Sequence, residues 1–208
     1  MDAHRLRRLR VFNVVVGIVH LAQGLAILAL SNGFSLPVTA SYLSGPPGQG
    51  ASATEVLTDL RIAPLVAAFL FLAAIDHLIV AAPGVHSWYE ANLGRARNVV
   101  RWIEYSVSAS LMMVLIAMLT GIADVAALIA IFGANAGMIL FGLLMERHQE
   151  PGKADWTAYW FGCIAGAVPW IAIAVYLLGG DSPPTFVYAI FISLFILFNS
   201  FAVNMALQ

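Results

Sequence analysis

Six long runs of apolar residues constrain this sequence more than any other feature. They cover residues 11–31, 61–82, 99–120, 123–145, 157–178 and 185–207. A helix needs about 20 apolar residues to cross the hydrocarbon core of a bilayer, and each run meets this length. The 208 residues are 61% hydrophobic and 10% charged, whereas soluble domains contain about 25% charged residues. The sequence therefore predicts an all-α, polytopic transmembrane bundle with six spans and a single domain over residues 1–208.

The segment between the first two spans, residues 32–59, is long and rich in Gly, Ser and Pro. Loops of this length in compact proteins usually have a function, such as covering a surface or joining subunits. The stretch from Leu36 to Tyr42 contains residues suited to a strand. We therefore expect a short β-structured external loop here.

The basic residues of the loops predict the orientation, because Lys and Arg are retained on the cytoplasmic side of a membrane. With spans that alternate in direction, one side of the protein has only Arg61. The other side collects Arg5, Arg7, Arg8, Arg10, Arg95, Arg97, Arg101, Arg147 and Lys153. We therefore expect a multi-pass protein of the cell membrane with a cytoplasmic N-terminus.

An acidic residue lies inside the third span. Glu104 is about one turn into the apolar run that begins near residue 99. An ionised side chain at membrane depth costs roughly 2.5–3.5 kcal/mol, so such a residue indicates a functional site and needs a partner. Arg101, three residues earlier, is one candidate partner.

Two histidines are expected at a depth comparable with that of Glu104. His20 lies near the middle of span one, with Gln23 three residues later on nearly the same helical face, and Asp76 and His77 lie near the cytoplasmic end of span two. One interpretation is a polar cavity that holds or relays a proton, since histidine titrates near neutral pH. The other is that backbone carbonyls satisfy both histidines, which then only hold helices together.

The remaining polar residues favour structural roles. Asp124 is expected to cap the fourth span, and Glu146 to belong to a solvated helix end. Cys163 is the single cysteine, which excludes an intrachain disulfide. The sequence has no metal-binding spacing, no phosphate-binding loop, no nucleophile elbow and no basic and aromatic surface for nucleic acid. We therefore expect neither an enzyme nor a metal or nucleic-acid binder.

Small and aromatic residues in spans four and five suggest an apolar pocket. Asn135 stands mid-span among glycines, alanines and Met138, and Trp160 begins a similar stretch in span five. Small residues let helices or a flat ligand approach closely. Ordinary helix packing with an interfacial tryptophan gives the same pattern, so both interpretations stay open.

Several longer motifs together resemble the heliorhodopsins. They are Arg101-Trp-Ile-Glu-Tyr-Ser, Gly121-Ile-Ala-Asp, Ile131-Phe-Gly-Ala-Asn-Ala-Gly-Met, Trp160-Phe-Gly-Cys-Ile-Ala-Gly and Phe198-Asn-Ser-Phe-Ala. They occur in the family's order, and the resemblance runs from Val19 in span one to the last residue.

The resemblance implies a light-sensing photoreceptor with seven spans that does not pump ions and has a signalling or regulatory output. All-trans retinal would be attached to a lysine of the seventh helix as a protonated Schiff base, with Glu104 as its counterion. The implied proton-handling cavity contains His20, His77, Gln23 and Arg101, and the implied retinal contacts are Asn135, Met138, Trp160, Tyr105 and Ser108. The external loop would help to form a homodimer, and an unknown membrane partner would receive the signal.

The sequence departs from the family at the retinal lysine. Its only lysine, Lys153, lies in a polar loop, so residues 1–208 contain no chromophore anchor. We therefore expect the first six helices of a seven-helix fold, with the seventh missing after Gln208. Two other functions remain as alternatives. One is a small transporter or channel that relays protons through His20, His77 and Glu104, and the other is a membrane interaction protein without pigment.

Overall fold

The computed structural model describes residues 3–48, 53–149, 153–181 and 183–207. These residues form seven helices and two strands. The helices are α1 (Ala3–Leu30), α2 (Ile62–Ala81), α3 (Pro83–Leu93), α4 (Val99–Leu119), α5 (Val125–His148), α6 (Thr157–Gly179) and α7 (Thr185–Leu207). The strands are β1 (Ser35–Tyr42) and β2 (Ala53–Arg61).

The six predicted spans correspond to six of these helices. Each of the six is long and apolar enough to cross a membrane, which confirms the predicted polytopic helical bundle. Most boundaries agree with the prediction to within a few residues. The exception is α1, which begins at Ala3 because its arginine-rich start continues the same helix.

The number of helices corrects one prediction. We counted six helices and expected the seventh to be missing, yet the described residues contain seven. The additional helix, α3, occupies a segment that we expected to be a polar loop. Pro83 stands at its start, where proline's fixed φ favours a helix. Its 11 residues extend only about 16 Å at about 1.5 Å per residue, so α3 cannot cross a bilayer.

The two strands form the predicted short sheet. They pair antiparallel from Ser35 with Arg61 to Tyr42 with Ala53. The sheet is attached to the turn between α4 and α5, where the Thr39 amide donates to the Ala123 carbonyl over 2.8 Å. We call this the sheet end of the bundle.

Asp124 caps α5 in the same turn, as predicted. Its Oδ1 accepts hydrogen bonds from the amides of Ala126 and Ala127 at 3.0 and 3.1 Å. These bonds satisfy two of the amides that a helix leaves unpaired at its N-terminus. The sheet and the cap together fix where α5 begins.

The opposite end of the bundle holds most of the basic residues, and we call it the basic end. Here Arg10 Nε donates to the carbonyl of Ala81 at 2.9 Å, which joins the early part of α1 to the end of α2. The Asn98 amide donates to Glu146 Oε2 at 2.8 Å, which joins the start of α4 to the end of α5. These contacts show that α1 and α2 run in opposite directions, as do α4 and α5.

Helix α4 occupies the centre of the bundle, against α2 and α5, and it also touches α6 and α7. Near the sheet end, an apolar core forms around Met113, Ile116 and Ile173. Near the basic end, a second core forms around Trp102, which is fully buried. Beside this second core, the bundle leaves room for a cavity.

Candidate functional site

A cavity of about 690 Å³ lies in the basic half of the bundle. This volume is within the range of about 300–1,000 Å³ typical of small-molecule sites. Its apolar walls are Phe69, Ala73, Val80, Ala109, Met138, Ile139, Leu197, Phe198 and Phe201. Its polar groups are Asn13, His20, Asp76, His77, Tyr89, Asn98, Arg101, Glu104, Tyr105, Ser108, Ser200 and Asn204.

Glu104 contributes a carboxylate to this cavity from α4. Its Oε1 atom is buried and has no hydrogen-bond partner among the described residues. Ser108 lies one helical turn further along α4 and lines the same cavity. A buried polar atom without a partner is costly, so the Glu104 carboxyl group calls for a partner that the described residues do not supply.

Arg101 pairs with a different acid from the one we expected. Its Nη2 lies 2.6 Å from Oε1 of Glu146 on α5, and the Glu146 side chain is only 11% exposed. The prediction that Glu146 belongs to a solvated helix end is therefore wrong. Helical side chains lean toward the N-terminus of their helix, which brings Arg101 to the basic end, where α5 finishes. Arg101 still lines the cavity.

The two predicted histidines are in contact. The rings of His20 and His77 stack with centroids 5.7 Å apart and planes inclined by 19°. His77 Nδ1 lies 2.9 Å from Oδ1 of Asn13, and His20 Nδ1 lies 3.1 Å from Oε1 of Gln23. An amide oxygen only accepts hydrogen bonds, so each Nδ1 donates and each Nε2 remains available to gain a proton.

The Nδ1 atoms of both histidines therefore bond to side-chain amides and not to backbone carbonyls. Gln23 itself is exposed and does not line the cavity. Its contribution is to orient His20 through the hydrogen bond. Asn13, which we did not single out from the sequence, is buried and has the same effect on His77.

The short helix α3 contributes Tyr89 to the lining of the cavity. The phenol is 7% exposed, and Asn98 Nδ2 donates to its oxygen over 3.5 Å. Burial raises the pKa of Tyr89 above its ordinary value, although the Asn98 amide favours the ionised form. The phenol is thus a neutral group at this edge of the cavity near neutral pH.

Asp76 is the second acidic residue of the cavity. It is partly buried on α2 and lines the same space as Glu104. The sequence placed it beside His77 but gave no sign of which way it points. A carboxylate inside an apolar span is itself the signal that identifies it.

The five expected retinal contacts fall into two groups. Tyr105, Ser108 and Met138 line the cavity. Asn135 does not, because it is fully buried between helices and its Nδ2 donates to Ser110 Oγ at 3.0 Å. Trp160 is 61% exposed on the outer face of α6, so it too lies outside the cavity.

A second, apolar cavity of about 500 Å³ adjoins the first one. The two share Met138 and Phe198. Trp170 lines the second cavity and meets the ring of Phe195 edge-on, with centroids 5.1 Å apart. The sequence did not distinguish Trp170 from Trp160, because the rotation of α6 decides which tryptophan points inward.

Lys153 is not positioned to reach either cavity. It is exposed in the segment between α5 and α6, and it lines neither cavity. Residues 1–208 contain no other lysine. No amine from these residues is therefore available beside Glu104.

The fold and the cavity define a class: a polytopic α-helical membrane protein with an internal site that contains Glu104, whose Oε1 has no partner among the described residues. Comparison with known families narrows that class. The family model for heliorhodopsin matches residues 9–208, so this chain belongs to the heliorhodopsin family. It is thereby a membrane rhodopsin of a retinal-binding family, as the motifs indicated. No curated protein matches the sequence.

Proposed function

We propose that this protein is a light sensor that holds all-trans retinal beside Glu104 and does not pump ions. The observation that carries the proposal is Glu104, which lines a cavity with largely apolar walls and whose buried Oε1 has no partner among the described residues. A carboxylate in this setting is suited to the counterion of a buried cation.

The residues of the two cavities fit an elongated apolar ligand with one charged end. Met138 and Phe198 join the cavity that contains Glu104 to the aromatic cavity around Trp170. Retinal joined as a protonated Schiff base to an amine, which residues 1–208 do not provide beside Glu104, would supply absorption of visible light and a positive charge. Glu104 would balance that charge, and Ser108 would adjust the polarity beside it. Arg101 is already paired with Glu146, which leaves Glu104 available.

The distribution of polar residues supports a role without ion transport. His20, His77, Asp76 and Glu104 all lie in the basic half of the bundle. The described core of the sheet half consists of apolar side chains such as Met113, Ile116 and Ile173. A proton released at Glu104 therefore has a polar path to one end only, which suits a sensor better than a pump.

The counterion role can be tested without a lysine in the chain. The Schiff base of all-trans retinal with a small alkylamine, prepared beforehand, carries its own amine into the cavity. Added to the purified protein, it should develop a visible band because Glu104 stabilises its protonated form. Glu104→Gln should abolish that band or shift it strongly.

Glu55→Gln is the matched control, because Glu55 is exposed on β2 and far from the cavity in the fold. This variant should keep the band of the unchanged protein. An identical visible band in Glu104→Gln would overturn the counterion assignment. Light-driven pH changes in vesicles loaded with the same compound are expected to be absent, and a sustained change would favour the transporter alternative.

We also propose that the sheet joins two copies of the protein. The exposed side chains of β2 support this, since Val56 and Leu57 are 62% and 46% exposed. Covering them in a symmetric dimer would remove apolar surface from water. Val56→Lys should weaken the dimer in a light-scattering measurement, and an unchanged mass would contradict this interface.

A further inference from the structure

We propose that Asp76 is the proton-holding residue of the cavity. Its carboxyl group carries a proton while Glu104 is ionised, and it exchanges this proton with the His20 and His77 pair. The inference rests on the proposed function, because it takes Glu104 to be the counterion. It adds a residue and a proton reservoir that the counterion assignment does not require.

Asp76 lies in the cavity without a paired side chain in the described part of the chain. It lines the cavity from α2, next to His77 in the sequence. It makes no hydrogen bond or ion pair with any described side chain, unlike the acids of the basic end. Glu146 is held by Arg101, and Glu90 by His86 at 3.0 Å. Asp76 therefore lies in a partly buried site where no described side chain is paired with its carboxyl group.

The charges of the groups that line the cavity also favour one bound proton. The titratable and charged groups that line the cavity are His20, Asp76, His77, Tyr89, Arg101, Glu104 and Tyr105. The walls from α5 and α7 add none. Arg101 is neutralised by Glu146, so two ionised carboxylates would leave a net charge of about −2 in a space with apolar walls. One bound cation balances one of them, and one proton, held by Asp76 or by the histidine pair, balances the other.

The geometry of the histidine pair determines where a further proton can bind. Both Nδ1 atoms are engaged with amide oxygens, so a further proton must enter at Nε2. Two charged rings with centroids 5.7 Å apart would repel, so the pair accepts one proton at a time. A transfer from Asp76 leaves a carboxylate on Asp76 and one imidazolium in the pair, which conserves charge. The polar cavity has room for a bridging water.

Infrared spectroscopy of the protein without retinal tests this inference. The aspartate carboxyl groups are labelled with carbon-13, and spectra are recorded at about pH 5, where an ordinary aspartate with a pKa of about 3.9 is ionised. We expect one protonated carboxyl band from labelled aspartate, which shifts on exchange into heavy water. The Asp76→Asn variant should lack this band. The Asp76→Glu variant keeps a carboxyl group, and with it the fold, but should also lack the band because only aspartate carries the label.

Asp124→Asn is the control, because Asp124 caps α5 at the sheet end and does not line the cavity. That variant should keep the band. The absence of a protonated band in the unchanged protein would overturn the inference, as would a band that survives in Asp76→Asn. The measurement needs no retinal, so its failure is distinguishable from a missing visible band, which concerns Glu104 alone.

Discussion

Arg101 illustrates how one residue's partner determines what another can do. Glu104 is three residues away on the same helix, but Arg101 reaches Glu146 at 2.6 Å instead. Its guanidinium also lies 4.7 Å from the centre of the Trp102 ring. The sequence identified Glu104 as an acid that needs a partner, yet the spacing alone could not tell which carboxylate would take the arginine. That choice depends on where α5 ends beside α4.

Glu146→Gln tests this pairing. The substitution removes the charge that neutralises a largely buried arginine, whose side chain is 22% exposed. A hydrogen bond between charged groups contributes about 1.5–3 kcal/mol, so the free energy of unfolding should fall by about 2 kcal/mol. Thermal unfolding in detergent measures the change. Glu55→Gln, at an exposed position, should stay within about 0.5 kcal/mol of the unchanged protein. Equal stability of the two variants would contradict the pairing.

The helices were predictable to different degrees, for a physical reason. Long apolar runs identify the spans because the bilayer requires them. Helix α3 was missed because its 11 residues are too few for a span and mix polar with apolar side chains, and it is held by tertiary contacts such as the buried Tyr89. The rotation of each span was not predictable either, since a span that is apolar all round has no amphipathic pattern. Trp160 and Trp170 were confused for this reason.

Packing between α4 and α5 leads to a prediction for two glycines of α5. A Cβ on Gly142 would clash with Cζ3 of the Trp102 ring, whereas a Cβ on Gly137 would meet nothing within 4 Å. Gly142→Ala should therefore destabilise the protein by about 1–3 kcal/mol through overpacking. Gly137→Ala should be neutral or stabilising by up to about 1 kcal/mol, because alanine favours a helix. Thermal unfolding of both variants measures the difference, and equal effects would refute the close contact.

At the scale of the whole molecule, the charges of the two ends suggest how the protein lies in the membrane. We propose that the basic end faces the cytoplasm, because Lys and Arg are retained there. This orientation places the cavity's polar groups toward the cell interior and the sheet outside. A signal generated at Glu104 would then reach partners on the cytoplasmic side.

The single lysine offers a direct test of orientation. Lys153 is exposed at the basic end and should react with a membrane-impermeant amine reagent in inside-out vesicles. It should be protected in intact cells. Mass spectrometry of the peptide that contains residue 153 distinguishes labelling of Lys153 from labelling of the N-terminal amine. The Lys153→Arg variant should not show the label on this peptide. Labelling in intact cells would reverse the proposed orientation.

We propose that the residues of the two cavities enclose a site for retinal. The most direct measurement is a titration of all-trans retinal into the purified protein in lipid nanodiscs, followed by tryptophan fluorescence. Trp102 contacts Phe201, which lines the first cavity, and Trp170 lines the second, apolar cavity. Bound retinal should therefore quench the fluorescence of both tryptophans. We predict saturable quenching that ends at one retinal per protein. Quenching that rises without saturation, as expected for retinal dissolved in the bilayer alone, would contradict the account.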